Sequence, residues 1–247
     1  MRRWTSAALA IGLMYLAGPA RAGTCHEMSF DGAAFSVCEA AAGTDLRLFL
    51  NGPDGSVLGS FDAVSERLAV EGRRLAFAMN AGMYHPDRRP VGLYVENGKE
   101  VAGLQRHAGP GNFGLQPNGV FCIRRDGFQV TETLAFDASH PDCLFATQSG
   151  PMLVIGGKLH PKFQATSEAV NIRNGVGVSA DGKTAYFAIS DELVNFDRFA
   201  RLFRDGLKVP DALFLDGTIS RLYAPDLGRD DFGFPMGPIV GLVVPAG

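Results

Sequence analysis

The run Gly175-Val176-Gly177-Val178-Ser179, then Asp181-Gly182, then Thr184-Ala185-Tyr186-Phe187-Ala188-Ile189-Ser190 decides the fold class. Two segments rich in β-branched and aromatic residues flank an Asp-Gly pair. Asp-Gly accepts positive φ and favours the tight turns whose twist matches paired strands, so the run reads as a β-hairpin. The same pattern recurs along the chain. Asp54-Gly55 lies between Leu46–Leu50 and Val57–Phe61, and Asn97-Gly98 follows Val91 to Val95. Asp126-Gly127 separates Val120–Ile123 from Phe128–Thr133, and Gly156-Gly157 follows Met152–Ile155. Five such punctuations imply a largely antiparallel sheet system.

Two stretches depart from hairpin grammar and resemble each other. Phe61-Asp62 opens a predicted helix to about Glu71, with Asp62 as N-cap and Val64 and Leu68 on one face. Gly72 ends it, and Leu75-Ala76-Phe77-Ala78-Met79 reads as a buried strand running into Asn80-Ala81-Gly82. Phe196-Asp197 opens a second helix, with Phe196, Phe199, Leu202 and Phe203 on one face. Gly206 ends that one, and Ala212-Leu213-Phe214-Leu215 runs into Asp216-Gly217. Each unit delivers a polar residue and a glycine at a strand end, where loops build sites. No low-complexity linker divides the chain. The expected fold is α+β: a single domain of mainly antiparallel or mixed β-sheet, rich in hairpins, with two or more packed helices.

The N-terminus reads as an export signal. Arg2 and Arg3 precede an apolar run from Trp4 to Ala17, and Ala20-Arg21-Ala22 fits a small-x-small cleavage site. Residues 1–22 are thus expected to be removed, leaving a domain over 23–247 with a periplasmic or secreted location. The run is too short and interrupted to be a membrane span, and Thr24-Cys25 lacks a lipoprotein context. No stable membrane anchor is therefore expected. Without Arg2, Arg3 and Arg21, 20 basic residues face 26 acidic ones, a formal net charge of −6. That balance, with no Lys/Arg cluster, argues against nucleic acid as a partner. The four cysteines, Cys25, Cys38, Cys122 and Cys143, suggest two disulfides in an exported chain. Of three pairings, Cys25–Cys38 and Cys122–Cys143 are preferred, because each closes a short loop that reads as a hairpin. No C-x-x-C is present.

Several motifs point away from familiar chemistries. Gly109-Pro110-Gly111-Asn112-Phe113-Gly114 matches G-x-G-x-x-G, but Pro110 lies inside it and no helix pattern follows. It reads as a glycine-rich loop and not a dinucleotide site. H-E-x-x-H and G-x-S-x-G are absent, and Ser149, in Gln148-Ser149-Gly150-Pro151, has no nearby base in sequence. No metal-ligand spacing stands out, so neither metal nor cofactor is expected.

Taken in order, the polar clusters make a pattern. They are Asn80-Ala81-Gly82-Met83-Tyr84-His85-Pro86, Gln116-Pro117-Asn118-Gly119 within Leu115–Ile123, and the Ser149-Gly150 turn. After these come Asn171-Ile172-Arg173-Asn174-Gly175 and Leu215-Asp216-Gly217-Thr218-Ile219-Ser220. The set resembles the phosphodiester glycosidases, the family of the lysosomal uncovering enzyme N-acetylglucosamine-1-phosphodiester α-N-acetylglucosaminidase. It is most similar to a bacterial branch ending in Gly237-Pro238-Ile239-Val240-Gly241, and the resemblance runs from Leu46 to Val244. The family's usual Asp-Gly-Gly-x-Ser is here Asp216-Gly217-Thr218-Ile219-Ser220.

The resemblance implies hydrolysis of a sugar-1-phosphodiester in an envelope or exopolysaccharide substrate. It makes Asp216 the candidate base or electrostatic stabiliser and His85 a candidate proton-transfer group. Arg173 is the phosphate-binding candidate, because a guanidinium grips phosphate oxygens in pairs. Asn80, Gly82, Asn118, Ser149, Asn174 and Ser220 complete the expected substrate-binding set. Asp191 and Glu192 are the best candidates for a second carboxylate. Two other functions fit the same features: a carbohydrate-binding or polysaccharide-assembly protein without activity, and a phosphodiesterase that cuts P–O.

Overall fold

The hairpin at Gly175–Ser190 is present, as strands Asn174–Val178 and Thr184–Ser190 in antiparallel register with Val176 opposite Phe187. The structure is a computed structural model that describes residues 24–216 and 219–247. The expected signal segment 1–22 lies outside the described residues.

Among the described residues, three antiparallel sheets make up the fold. The first has seven strands, in the spatial order Cys25–Phe30, Ala33–Ala41, Thr184–Ser190, Asn174–Val178, Asp211–Asp216, Met152–Ile155 and Lys158–Leu159. The second orders Arg229–Asp230, Leu222–Ala224, Arg73–Asn80, Ile239–Pro245 and Asp45–Phe49. The third orders Lys99–Ala102, Tyr94–Glu96, Phe145–Ser149, Gly119–Ile123 and Phe128–Glu132. One apolar cluster draws on all three: Val176, Phe187 and Leu213 from the first, Phe77 and Val240 from the second, Phe121 and Phe128 from the third. Helices Phe61–Val70 and Phe196–Arg201 bury Val64, Leu68 and Phe199 against the second and first sheets.

Four of the five expected turns join paired strands. The exception is Asp54-Gly55. There pairing shrinks to a bridge between Asn51 and Val57, and Phe61 starts a helix instead of ending a strand. The N-cap also differs. Ser60, in extended conformation, accepts from the Ala63 amide at 3.1 Å, while Asp62 sits inside the first turn facing the positive helix end. A third helix, Thr133–Ser139, escapes the sequence pattern because it is only seven residues long. Its N-cap is Glu132, which accepts from the amides of Leu134 and Ala135.

Both preferred disulfides are formed. Cys25 and Cys38 face each other across a hairpin turned by Asp31-Gly32, both at positive φ. Cys122–Cys143 encloses more than a hairpin. Its loop holds strand Phe128–Glu132 and the short helix, and it ties strand Gly119–Ile123 to the entry of Phe145–Ser149.

Candidate active site

The two helix–strand units deliver their polar ends to one place. Asn80 ends strand Arg73–Asn80 of the second sheet, and Asp216 ends strand Asp211–Asp216 of the first. Asn174, at the start of its own strand and fully buried, joins them. Its Nδ2 donates to the Asn80 carbonyl at 3.0 Å, and its Oδ1 accepts from the Asp216 amide at 3.1 Å. A side-chain amide carries both a donor and an acceptor, so it can bridge main-chain groups of opposite kind. Asn80 Oδ1 accepts from the Arg221 amide at 2.8 Å, while its buried Nδ2 has no partner among the described residues. The Ser220 hydroxyl donates to the Ile172 carbonyl at 3.1 Å. Gly217 and Thr218, where the sequence departs from the family pattern, lie outside the described residues.

Asp216 lines a cleft of roughly 910 Å³ and is 7% exposed. Among the described residues it is the only carboxylate on that lining. One wall is the segment after Asn80. Gly82 packs so closely that a Cβ there would run into Thr147 Oγ1 and lie 2.6 Å from the Gln148 carbonyl oxygen. Tyr84 and the turn His85–Arg89 follow. His85 is exposed on the cleft, and the guanidinium of Arg88 sits 5.4 Å from the Tyr84 ring centre. Burial, then the charge of Asp216, pushes the Tyr84 phenol above its ordinary range, so it stays protonated at neutral pH. Its buried hydroxyl has no partner among the described residues.

The opposite wall is 105–113, and it includes the glycine-rich loop. The loop leads into the short 3-10 turn Asn112–Gly114, with Gly111 at positive φ. A relay of buried amides fixes this wall. Gln148 Oε1 accepts from the Leu93 and Gln105 amides at 3.0 and 2.9 Å, and Gln148 Nε2 donates to the Gln105 carbonyl at 2.7 Å. Thr133 Oγ1 donates to Asn118 Oδ1 at 2.7 Å, and Asn118 Nδ2 donates to the Phe113 carbonyl at 3.2 Å.

A second cavity of roughly 580 Å³ adjoins the cleft. It shares Ile219 with it and continues along Ser220 and Arg221 to the segment 230–234. Arg221 is 8% exposed, makes no ion pair among the described residues, and donates through Nη2 to the Phe234 carbonyl.

The remaining expected residues lie behind these surfaces. Asn118 holds the wall, and the Ser149 hydroxyl donates to the Leu215 carbonyl at 2.6 Å, bracing the strand that ends in Asp216. Arg173 lines neither cavity. It is 1% exposed, donates to the Val194 and Ala169 carbonyls at 2.8 and 2.9 Å, and lies 3.6 Å over the Phe196 ring centre. Burial without a carboxylate lowers its pKa to about 10. Asp191 is engaged by Arg229 and Ser36, and neither it nor Glu192 reaches the cleft.

A model of the family described as phosphodiester glycosidase matches residues 73–230, which span the cleft and its supports. The chain belongs to the phosphodiester glycosidase family. It is 35% identical to the Escherichia coli K12 protein YigE over 178 residues, 72% of this chain and 69% of that one. In fold it is similar to the zebrafish N-acetylglucosamine-1-phosphodiester α-N-acetylglucosaminidase catalytic domain auto-inhibited by its pro-peptide. That likeness has TM-score 0.60 at 15% identity and covers 89% of this chain and 81% of that one. A Burkholderia pseudomallei protein named as exported gives TM-score 0.51 at 13% identity, over 85% and 74%.

The sequence pattern does not single out Tyr84, Arg88, His107 or Arg221, each of which lines one of the two cavities. Tyr84 lies inside the Asn80–Pro86 motif and Arg221 directly follows Ser220, so adjacency was the available signal. Arg88 reaches the cleft because its turn places it at φ 71°, which no local pattern announces.

Proposed function

We propose that the chain is an exported hydrolase that cleaves the sugar–oxygen bond of a glycosyl phosphodiester, with Asp216 as general base. The observation that carries this is the charge arrangement. Among the described residues one carboxylate, Asp216, lines the cleft beside the Arg88 guanidinium, and Arg221 lines the neighbouring cavity together with Asp230 and Asp231. The Arg88 guanidinium suits a phosphate held on the cleft side of the Ile219 junction. A phosphate monoester leaves as a stable anion, so the second carboxylate that ordinary glycosides require for leaving-group protonation is dispensable.

In the proposed step, water held by Asp216 attacks the anomeric carbon. Its proton passes to the carboxylate, and the C–O bond breaks with its electron pair leaving on the phosphate. Tyr84, kept protonated, offers a neutral donor to a phosphate oxygen, and His85 returns protons to solvent at the cleft mouth. Arg173 secures the Asn171–Asn174 segment from behind. Two disulfides fit an oxidising compartment and support export.

Turnover of a chromogenic N-acetylglucosamine-1-phosphodiester in 18O-water tests this. The expected result is sugar release with the label in the sugar, reduced about 10³-fold or more in Asp216→Asn. Label in the phosphate would establish P–O cleavage instead. Undiminished turnover in Asp216→Asn would remove that residue's role. Saturable binding without turnover would favour the carbohydrate-binding function.

A further inference from the structure

Phe232 and Phe234 are 96% and 79% exposed, yet the segment that carries them is pinned. Asp231 accepts from the Leu222 amide at 2.9 Å and pairs with Arg229 at 2.9 Å. The Phe234 carbonyl accepts from Arg221, and the Met236 amide donates to the Gly59 carbonyl at 2.8 Å. Between the two rings, Gly233 lies against the Arg221 guanidinium. A Cβ there would stand 2.7 Å from Nη2, and its φ of 149° suits glycine. Both rings are thus held in water by a fixed loop, although burying each is worth roughly 1.5–3 kcal/mol.

We infer that the second cavity is a glycan subsite, in which Phe232 and Phe234 stack the apolar C–H face of a sugar ring from the substrate chain beyond the phosphate. An aromatic face offers large, rigid apolar area with little entropy to lose. Asn171, Ser220, Arg221 and Asp230 supply donors and acceptors for hydroxyls around it. The cavity and the cleft share Ile219 in their linings, which sets the cavity beside the cleft, where a chain attached to the scissile phosphate can extend into it.

Two carboxylates in the lining, Asp230 and Asp231, oppose an anionic membrane as the occupant. Two rings expose about 400 Å² at most, near half of the ~800 Å² per partner that a stable dimer uses, which opposes a second copy. The placement of this chain segment rests on the function proposed above. The inference names the substrate as a glycan on its phosphate side and not a small alcohol.

The test is binding of neutral trisaccharides, which carry no phosphodiester and so report independently of turnover. Titration calorimetry of the oxidised protein with N-acetylglucosamine, mannose, glucose and galactose trisaccharides is expected to show binding of at least one. That binding should weaken at least tenfold in Phe232→Ala/Phe234→Ala and be unchanged in Leu134→Ala, an exposed apolar residue that lines neither cavity. Binding of none, or equal binding in the double variant, overturns the proposal. So does anionic-vesicle binding or dimerisation that the double variant abolishes. Trisaccharide binding that survives in a protein without phosphodiester turnover would retain the subsite and remove the hydrolase function.

Discussion

At the residue scale the site depends on amides more than on charges. Asn174 satisfies the Asn80 carbonyl and the Asp216 amide together, and all three groups are buried. Asn174→Ala would remove both of these hydrogen bonds from the buried main chain, at a cost of about 2–4 kcal/mol by lowered denaturation midpoint. Turnover should fall further than Asn80→Ala lowers it, since the strand end carrying Asp216 loses its tether. His160 supplies a pH prediction. Its buried ring hydrogen-bonds the Gln116 carbonyl through Nε2 at 3.1 Å, while Nδ1 accepts from the Lys162 amide at 3.3 Å, which is the neutral form. Burial holds its pKa below 6.5. The unfolded chain therefore binds the proton first on acidification. The contribution of His160 is complete above pH 6.5 and is lost as pH falls through the folded value. Melting of wild type and His160→Gln at pH 7.5 and 5 should show the gap narrowing in acid. A gap that widens would contradict this. That Asp216 stands at a strand end was legible, and it lines the cleft, whereas the buried stacking of Arg173 on Phe196 was not legible. A sequence shows which residue is cationic but not which way it faces.

At the element scale, hairpins with a two-residue turn were legible because their signal is local. Asn97-Gly98, Asp126-Gly127, Gly156-Gly157 and Asp181-Gly182 all join neighbouring strands. The Asp54-Gly55 turn and helix Thr133–Ser139 were not, because a Ser60 cap and a Glu132 cap override weak periodicity over short stretches. Each disulfide acts on its own element. Chain entropy gives roughly 3 kcal/mol for closing loops of these separations, 13 and 21 residues. Cys122→Ala/Cys143→Ala should lower the melting temperature and expose helix Thr133–Ser139 to hydrogen exchange. Cys25→Ala/Cys38→Ala should first free the edge strand Cys25–Phe30. Equal protection maps for the two variants would contradict this division.

At the scale of the whole molecule, the three sheets share one apolar cluster, so they should unfold together. Calorimetry is expected to give one transition with van't Hoff and calorimetric enthalpies in agreement. Two separate transitions would show that a sheet folds alone. The sequence by itself determined the sheet-rich class, four of the five antiparallel turns, the two helix–strand units and the family, because each rests on local chemistry or on motif order, and it left the disulfide pairing a preference among three. Only the tertiary structure decided that Asn80 and Asp216 meet through Asn174, that the glycine-rich loop forms a cleft wall, and that Arg221 faces a cavity while Arg173 does not. Those facts depend on pairings across 94, 42 and 141 positions of chain. Hydrophobic burial and strand register set such pairings globally, and no local run of residues encodes them.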